Sequence, residues 1–212
     1  MVAIKNAQVK IPNTMSECFE QLKKSLKKLP GFGPKSAENT ALYLALENKE
    51  AAGALAAAIT AAIEKITPCP ECGGLSENGE ICAICADASR NPSAVCVVEK
   101  SLDINAVEKS GAWRGRYHVV GGKLSPMHKI TPEKLNIKSL VQKVESGQIT
   151  EIMLALSNDI EGEATCHYIQ EKLRGFPEVS LARIGFGLPS GSQLSFADSN
   201  TIKIAMKSGK SF

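Results

Sequence analysis

Four cysteines at two short intervals constrain this chain more than any other feature. Cys69-Pro-Glu-Cys72 and Cys82-Ala-Ile-Cys85 are two C-x-x-C knuckles separated by nine residues. Two such knuckles can set four thiolates tetrahedrally around a Zn²⁺ ion, and a site with four sulfurs leaves no open position for chemistry. Gly73, Gly74 and Gly79 allow the tight turns that such knuckles demand. Four reduced thiols, or a redox pair, are the alternatives at this spacing. A disulfide framework is disfavoured, because a chain of 212 residues buries a core without covalent staples. Structural zinc is therefore expected on Cys69, Cys72, Cys82 and Cys85. The surrounding residues 67–92 carry three Pro and three Gly with little helical periodicity, and are expected to form a small inserted module. Cys18, Cys96 and Cys166 have no such partners. Cys96 lies inside an apolar run and reads as a small core residue.

Before this module the pattern is helical. Thr14-Met15-Ser16-Glu17 has capping-box spacing. Met15, Phe19, Leu22, Leu26 and Leu29 then recur every three or four residues as one apolar stripe, with Lys23, Lys24, Lys27 and Lys28 off it. The helix is expected to stop at Pro30-Gly31. A second should run from about Ser36 to Leu46, and an alanine-rich third from about Glu50 to Ile66.

The connecting segment Leu-Pro-Gly-Phe-Gly-Pro-Lys-Ser-Ala, residues 29–37, reads as a tight turn in which Gly31 and Gly33 take angles that other residues avoid. Its amides open the next helix, where the partial positive charge suits a phosphate oxygen, and Lys35 lies beside them. An ordinary helical hairpin with no ligand is the alternative. The charge distribution favours the first reading. Residues 1–35 hold seven Lys against two Glu, so the chain's net charge of +3 is concentrated where an acidic polymer would be met. A hairpin of this kind holds phosphate and reads no bases, so DNA binding through Lys23, Lys27 and Lys35 should be independent of sequence.

After residue 93 short apolar runs alternate with helical stretches. Val95–Val98, Tyr117–Val120, Ile152–Leu156 and Val179–Ile184 read as buried strands, with helices near 103–109, 137–146 and 162–173. That alternation predicts an α/β fold with a mostly parallel sheet covered on both faces. Glu99 ends the first strand, and Asp159 and Glu161 follow the third. In a parallel sheet these segments emerge together at the carboxyl edge, where ligands of such folds bind. Clustered carboxylates are what Mg²⁺ requires. Asp159 and Glu161 are equally suited to capping the following helix, and spacing leaves both readings open.

Some classes are excluded. Aromatics are only 5% of the chain, too few for base stacking on an aromatic sheet to be the main activity. The longest weakly polar run, Ala51–Ile63, is too short to span a bilayer. The first ten residues lack the apolar core of a signal peptide, so a cytoplasmic location and no membrane partner are expected.

Taken together, the segments at 29–37, 69–85, 97–99 (Val-Val-Glu), 117–126 (Tyr-His-Val-Val-Gly-Gly-Lys-Leu-Ser-Pro), 161–165 (Glu-Gly-Glu-Ala-Thr) and 183–194 stand in one family's order and spacing. From about residue 13 onward the chain resembles the RecR family of bacterial recombination mediators. The resemblance implies a helix-hairpin-helix domain at 1–66 and a four-cysteine zinc finger at 67–92. It further implies a Rossmann-like Toprim domain at 93–188 and a Walker-B-like, oligomerising tail at 189–212. It also implies a ring-like homotetramer, or dimer of dimers, able to encircle DNA at the nucleoid. With RecO and RecF, that ring would help load RecA at single-stranded gaps, without catalysis of its own. Carried over, Glu99, Asp159 and Glu161 are the Toprim acidic positions, and the Walker-B-like segment falls near Leu194–Asp198. No phosphate-binding loop precedes that segment, so ATP hydrolysis is not expected.

There are two departures from the pattern. Catalytic Toprim enzymes carry Asp-x-Asp before Glu-Gly, and here those positions are Ser157 and Asp159. The missing carboxylate weakens any Mg²⁺ site and disfavours the alternative function, a Mg²⁺-dependent nuclease or primase-like enzyme. The family's Asp-Gly turn after Ser125-Pro126 is replaced by Met127-His128-Lys129, where His128 either meets DNA or is solvated.

Overall fold

Phe19, Leu22 and Leu26 form the apolar stripe of the first helix, α1 (Glu17–Lys27), and pack against Phe32, Ala37 and Ala41. The computed structural model describes residues 16–188 and 191–207. The expected cap at Thr14 and the stripe position Met15 therefore lie outside the described residues. Ser16 caps α1, its hydroxyl accepting from the Phe19 amide at 3.3 Å. Glu17 and Glu20 in the first turn and Lys24 and Lys27 in the last complement the helix dipole. The helix α2 (Pro34–Leu42) begins two residues earlier than predicted, because Pro34 already has the backbone angle of a first helical residue. It continues as a wider π-helical turn at Tyr43–Glu47, and α3 (Lys49–Lys65) follows, capped by the Asn48 side chain on the Ala51 amide at 2.8 Å. The chain divides into two units at 1–64 and 65–212.

The second unit opens with a short antiparallel pair, β1 (Ile66–Pro68) and β2 (Leu75–Glu77), and one helical turn, α4 (Ala83–Ala86). Its sheet comprises β3 (Asn91–Val98), β4 (Gly115–Val119), β5 (Glu151–Ala155) and β6 (Ser180–Arg183). The order is β4-β3-β5-β6, and every pairing is parallel. Between the strands run α5 (Ser101–Ser110), α6 (Ile137–Glu145) and α7 (Ile160–Leu173). The tail holds α8 (Ser199–Lys207).

Both sheet faces are covered, as the alternation predicts, but by different kinds of partner. Val95, Val97, Ile152 and Leu154 point to one face and pack on Ile137, Leu140 and Val144 of α6 and Ile169 and Leu173 of α7. Burying each of these aliphatic side chains contributes about 1.5–3 kcal/mol. Cys96, Val98, Tyr117 and Val119 point to the other face, where Ile104 of α5 meets Cys69, Cys72 and Cys85. The four-cysteine segment, expected as an inserted module, thus shares a core with the sheet. A segment this small exposes too much surface to close a core alone.

His118 on β4 is 1% exposed. Its Nε2 lies 2.6 Å from the Asn136 carbonyl and so carries the proton, while Nδ1 has no partner among the described residues. Burial pushes its pKa down to about 4, against the opposing pull of the Asn136 contact and with help from Lys143. Between about pH 6.5 and 4 the unfolded chain therefore binds a proton that the native chain does not. Native stability accordingly falls as pH drops through that window, by about 3 kcal/mol in full. Urea melts at pH 7 and pH 4.5 should show this loss in the wild type and a smaller one in His118→Gln. Equal losses in the two proteins would contradict the assignment; acid release of a metal would be common to both.

Candidate functional site

The cysteine centre is built by two turns facing each other. The first runs out of β1, and the Cys69 amide donates to the Gly74 carbonyl at 2.7 Å while the Gly73 amide donates back to the Cys69 carbonyl at 2.9 Å. The second precedes and forms α4. The four Sγ atoms all lie within 4.8 Å of one another. Zinc–sulfur bonds of about 2.3 Å in a tetrahedron place sulfurs about 3.8 Å apart, and Cys72 and Cys82 Sγ are 3.7 Å apart. Backbone amides of Gly74 and Cys82 point at Cys72 and Cys69 Sγ, each at 3.3 Å, the environment that thiolate sulfurs need. The Cys85 contact, then the Gly74 amide, lowers the Cys72 pKa, and the same contact with Cys72, with burial, raises that of Cys85. Cys72 and Cys85 are thus driven in opposite directions by sharing a proton, and a dication is what would allow a four-thiolate set. The donor set fits zinc. Cys96 is 1% exposed, its pKa pushed up to about 12 by burial alone, as a core thiol should be. Cys166 is buried and Cys18 exposed.

At the carboxyl edge β3 and β5 are neighbours. The connection leaving β3, through α5, covers one face of the sheet, while that leaving β5, through α7, covers the other. The crevice between β3 and β5 that this creates is where such folds place ligands. Val98 pairs with Ala155, which sets Glu99 beside the turn at 157–161. The Ser157 amide donates to Glu99 Oε1 at 2.6 Å. Asp159 caps α7, accepting from the Gly162 amide at 2.7 Å, and its other oxygen pairs with Lys123. A Cβ on Gly162 would lie 2.1 Å from the Ser157 carbonyl, so only glycine lets the helix start this close to the turn. Ser125 Oγ donates to Glu161, and His128 Nδ1 lies 2.8 Å from Ser125 Oγ, so Nδ1–H donates to that oxygen.

Each of the three carboxylates thus has a donor from this chain. Among the described residues, only the four cysteines bring three or more ligand atoms within 4.8 Å. The Lys123 contact, then the Gly162 amide, holds Asp159 below the usual carboxylate range, and the same pairing with Asp159 raises Lys123. Lys123, Ser125 and Thr165 were not singled out by sequence reasoning. The available signal was Gly121-Gly122 after β4, a third chain end turning at the same edge. His128 is largely exposed, and the turn without glycine is made by Lys129 at φ 55°.

The hairpin between α1 and α2 corrects one expectation. Gly31 is left-handed, at φ 81°, but Gly33 has ordinary extended angles, φ −76° and ψ 170°. Gly33 caps α2 with no side-chain bond and Pro34 has no N–H, so the helix start is bare of capping groups. Lys27 and Lys35 are exposed. Lys23 is not free: its ammonium is 2.6 Å from Glu20, which raises its pKa, and it sits over the Phe19 ring. Near the C-terminus, Leu194–Phe196 form a 3₁₀ turn, and Asp198 caps α8, accepting from the Thr201 amide at 3.0 Å.

These parts define a zinc-finger protein that joins a helix-hairpin-helix to a Toprim sheet. Residues 93–185 match the Toprim domain, 19–63 the RecR helix-hairpin-helix and 66–87 the RecR four-cysteine zinc finger domain. The chain is 44% identical to Recombination protein RecR of Acinetobacter baylyi over 191 residues, 90% of this chain and 96% of that protein. It is 40% identical to Recombination protein RecR of Parvibaculum lavamentivorans over 194 residues, 92% of this chain and 96% of the relative. The chain belongs to the RecR family. No helix among the described residues is long and apolar enough to cross a membrane.

Proposed function

We propose that this chain serves recombinational DNA repair as a non-catalytic clamp that binds DNA without sequence preference. Working with RecO and RecF at single-stranded gaps, it promotes RecA loading. The observation that carries this reading is the hairpin at Gly31–Lys35, an uncapped helix start with Lys35 in its first turn and Lys24, Lys27 and Lys28 exposed on the preceding helix. Backbone amides and flexible ammonium groups suit phosphate and carry no base code.

Two further features support the reading. Leu55, Ile59 and Ile63 recur every four residues along α3 and are 45%, 51% and 78% exposed, and Leu194, Phe196 and Met206 of the tail are also exposed. Apolar stripes of that extent call for cover, and a homotetramer supplies it. At the carboxyl edge, Ser157 stands where phosphodiester chemistry needs a second aspartate, so the acidic cluster is expected to hold Mg²⁺ weakly or not at all and to cut nothing. Zinc is structural, and the working place is the cytoplasm, at the nucleoid.

Light scattering with and without short duplex DNA tests the clamp directly. The expected mass is four chains, with DNA retained on the assembly. A monomer that ignores DNA would sink the proposal, and Mg²⁺-dependent cleavage that disappears in Glu99→Ala would replace it with the nuclease reading.

A further inference from the structure

We propose that Lys123 is the resident cation of the carboxyl-edge acidic cluster, filling the electrostatic role of a divalent ion and keeping such an ion out. This deepens the non-catalytic reading of the same site and rests on it.

The ammonium is placed by backbone, not by chance of a long side chain. Gly121 and Gly122, at φ 84° and 149°, turn the chain back over the sheet edge as it leaves β4. The Gly121 amide donates to the Glu99 carbonyl at 2.9 Å. Two residues beyond Gly122, the Leu124 amide donates to Thr165 Oγ at 2.9 Å, and that hydroxyl, fully buried, donates to the Glu161 carbonyl at 2.6 Å. Lys123 is thus pinned on both sides to the segments that carry Glu99 and Glu161. Its side chain is about one-fifth exposed and pairs with Asp159. Its charge also lies in the field of Glu99 and Glu161.

The remaining donors complete the closure. Glu99 takes the Ser157 amide, Asp159 takes the Gly162 amide, and Glu161 takes the Ser125 hydroxyl. A Mg²⁺ or Mn²⁺ ion entering here would have to displace the ammonium from Asp159 and would meet its positive charge at short range. It would gain at most three carboxylates, whose oxygens are not already gathered within 4.8 Å of one another, and Ser157 adds none. At roughly 4 Å, repulsion between a unit charge and a dication weakens binding by more than about tenfold, even in water. Lys123 therefore joins α7 to the β4 turn while it occupies the cluster.

The test is Mn²⁺ titration of the full-length, zinc-loaded protein followed by electron paramagnetic resonance. Wild type, Lys123→Met, Lys123→Gln and the double variant Lys123→Met/Asp159→Asn are compared, each checked for folding by circular dichroism. The expected result is no stoichiometric Mn²⁺ on wild type, and one site per chain gained in either single variant, tighter by about tenfold or more. The double variant should lose that site. Either single variant suffices if the other does not fold. Equal Mn²⁺ affinity in wild type and the single variants, high or absent, overturns the proposal. Cleavage of duplex DNA by wild type with Mg²⁺, abolished in Glu99→Ala, is a separate outcome that removes the non-catalytic reading and the proposal built on it. Equal Mn²⁺ affinity without cleavage removes only Lys123's role.

Discussion

Stripping the metal from the four-cysteine centre will unfold well beyond residues 66–87. Structural zinc supplies on the order of 10 kcal/mol of folding free energy in small four-ligand modules. That is comparable with the whole stability of an ordinary domain, about 5–15 kcal/mol. Here the module is also the lid of one sheet face. Cys69, Cys72 and Cys85 pack with Val98, Ile104, Tyr117 and Val119, and the Val119 amide donates to the Cys72 carbonyl at 2.7 Å. Lys143 of α6 reaches the carbonyl and carboxylate of Glu71 inside the first knuckle. Loss of the metal would leave four thiols within 4.8 Å of one another, with nothing to balance four thiolates.

Chelation, or Cys72→Ser, should therefore remove the cooperative melt of the module and strip hydrogen-exchange protection from β4, while α1 and α2 keep theirs. The proposed assembly should weaken with it. Elemental analysis finding no stoichiometric zinc in freshly purified protein would remove the claim, as would a Cys72→Ser protein that keeps zinc and wild-type β4 protection.

Removing the hairpin lysines should weaken binding to every DNA sequence alike. A lysine is a flexible point charge that meets phosphate and lacks the bidentate geometry arginine uses on guanine. Each duplex phosphate that a variant no longer neutralises should lower the salt slope of binding by about 0.9. In the proposed tetramer the substitution would repeat in every subunit, so one change in the sequence would alter the slope several-fold more. The structure ranks the three positions. Lys27 and Lys35 are exposed and should show the full effect. Lys23 must first leave Glu20, 2.6 Å away, so Lys23→Ala should show less. The measurement is affinity against salt on two unrelated duplexes for wild type, Lys23→Ala, Lys27→Ala and Lys35→Ala. Wild-type affinity and slope in all three, with assembly intact, would make the basic N-terminus a solvated face and move the DNA path elsewhere.

Much of the molecule was legible from local pattern, for physical reasons that act within a few residues. The C-x-x-C pairs announce their ligand because knuckle geometry depends on spacing along the chain alone. The runs ending at Val98 and Leu156 read as buried strands because both faces of a covered parallel sheet are apolar, and β3 and β5 lie there. Left-handed Gly31 follows from backbone preference, as does the Pro34 helix start that the expected start at Ser36 missed by two residues. The same reasoning overreached at Gly33, whose extended angles any residue adopts; Gly-x-Gly does not say which glycine needs the freedom.

What only the tertiary structure decided is what depends on strand order and register. The alternation of Cys96 and Val98 with Val95 and Val97 says that β3 has two apolar faces, not that the cysteine module covers one of them. Lys123 and Asp159 are 36 residues apart. Their pairing exists because β4 and β5 both lie parallel to β3, on opposite sides of it, and so release their chains at one edge. Residue type and spacing put one carboxylate at the end of β3 and two in the turn after β5, and left open whether they cap a helix or converge. Only the turn at Gly121-Gly122, set by that register, brings an ammonium among them, because a contact between distant segments is fixed by how strands pair and not by any preference of the residues themselves.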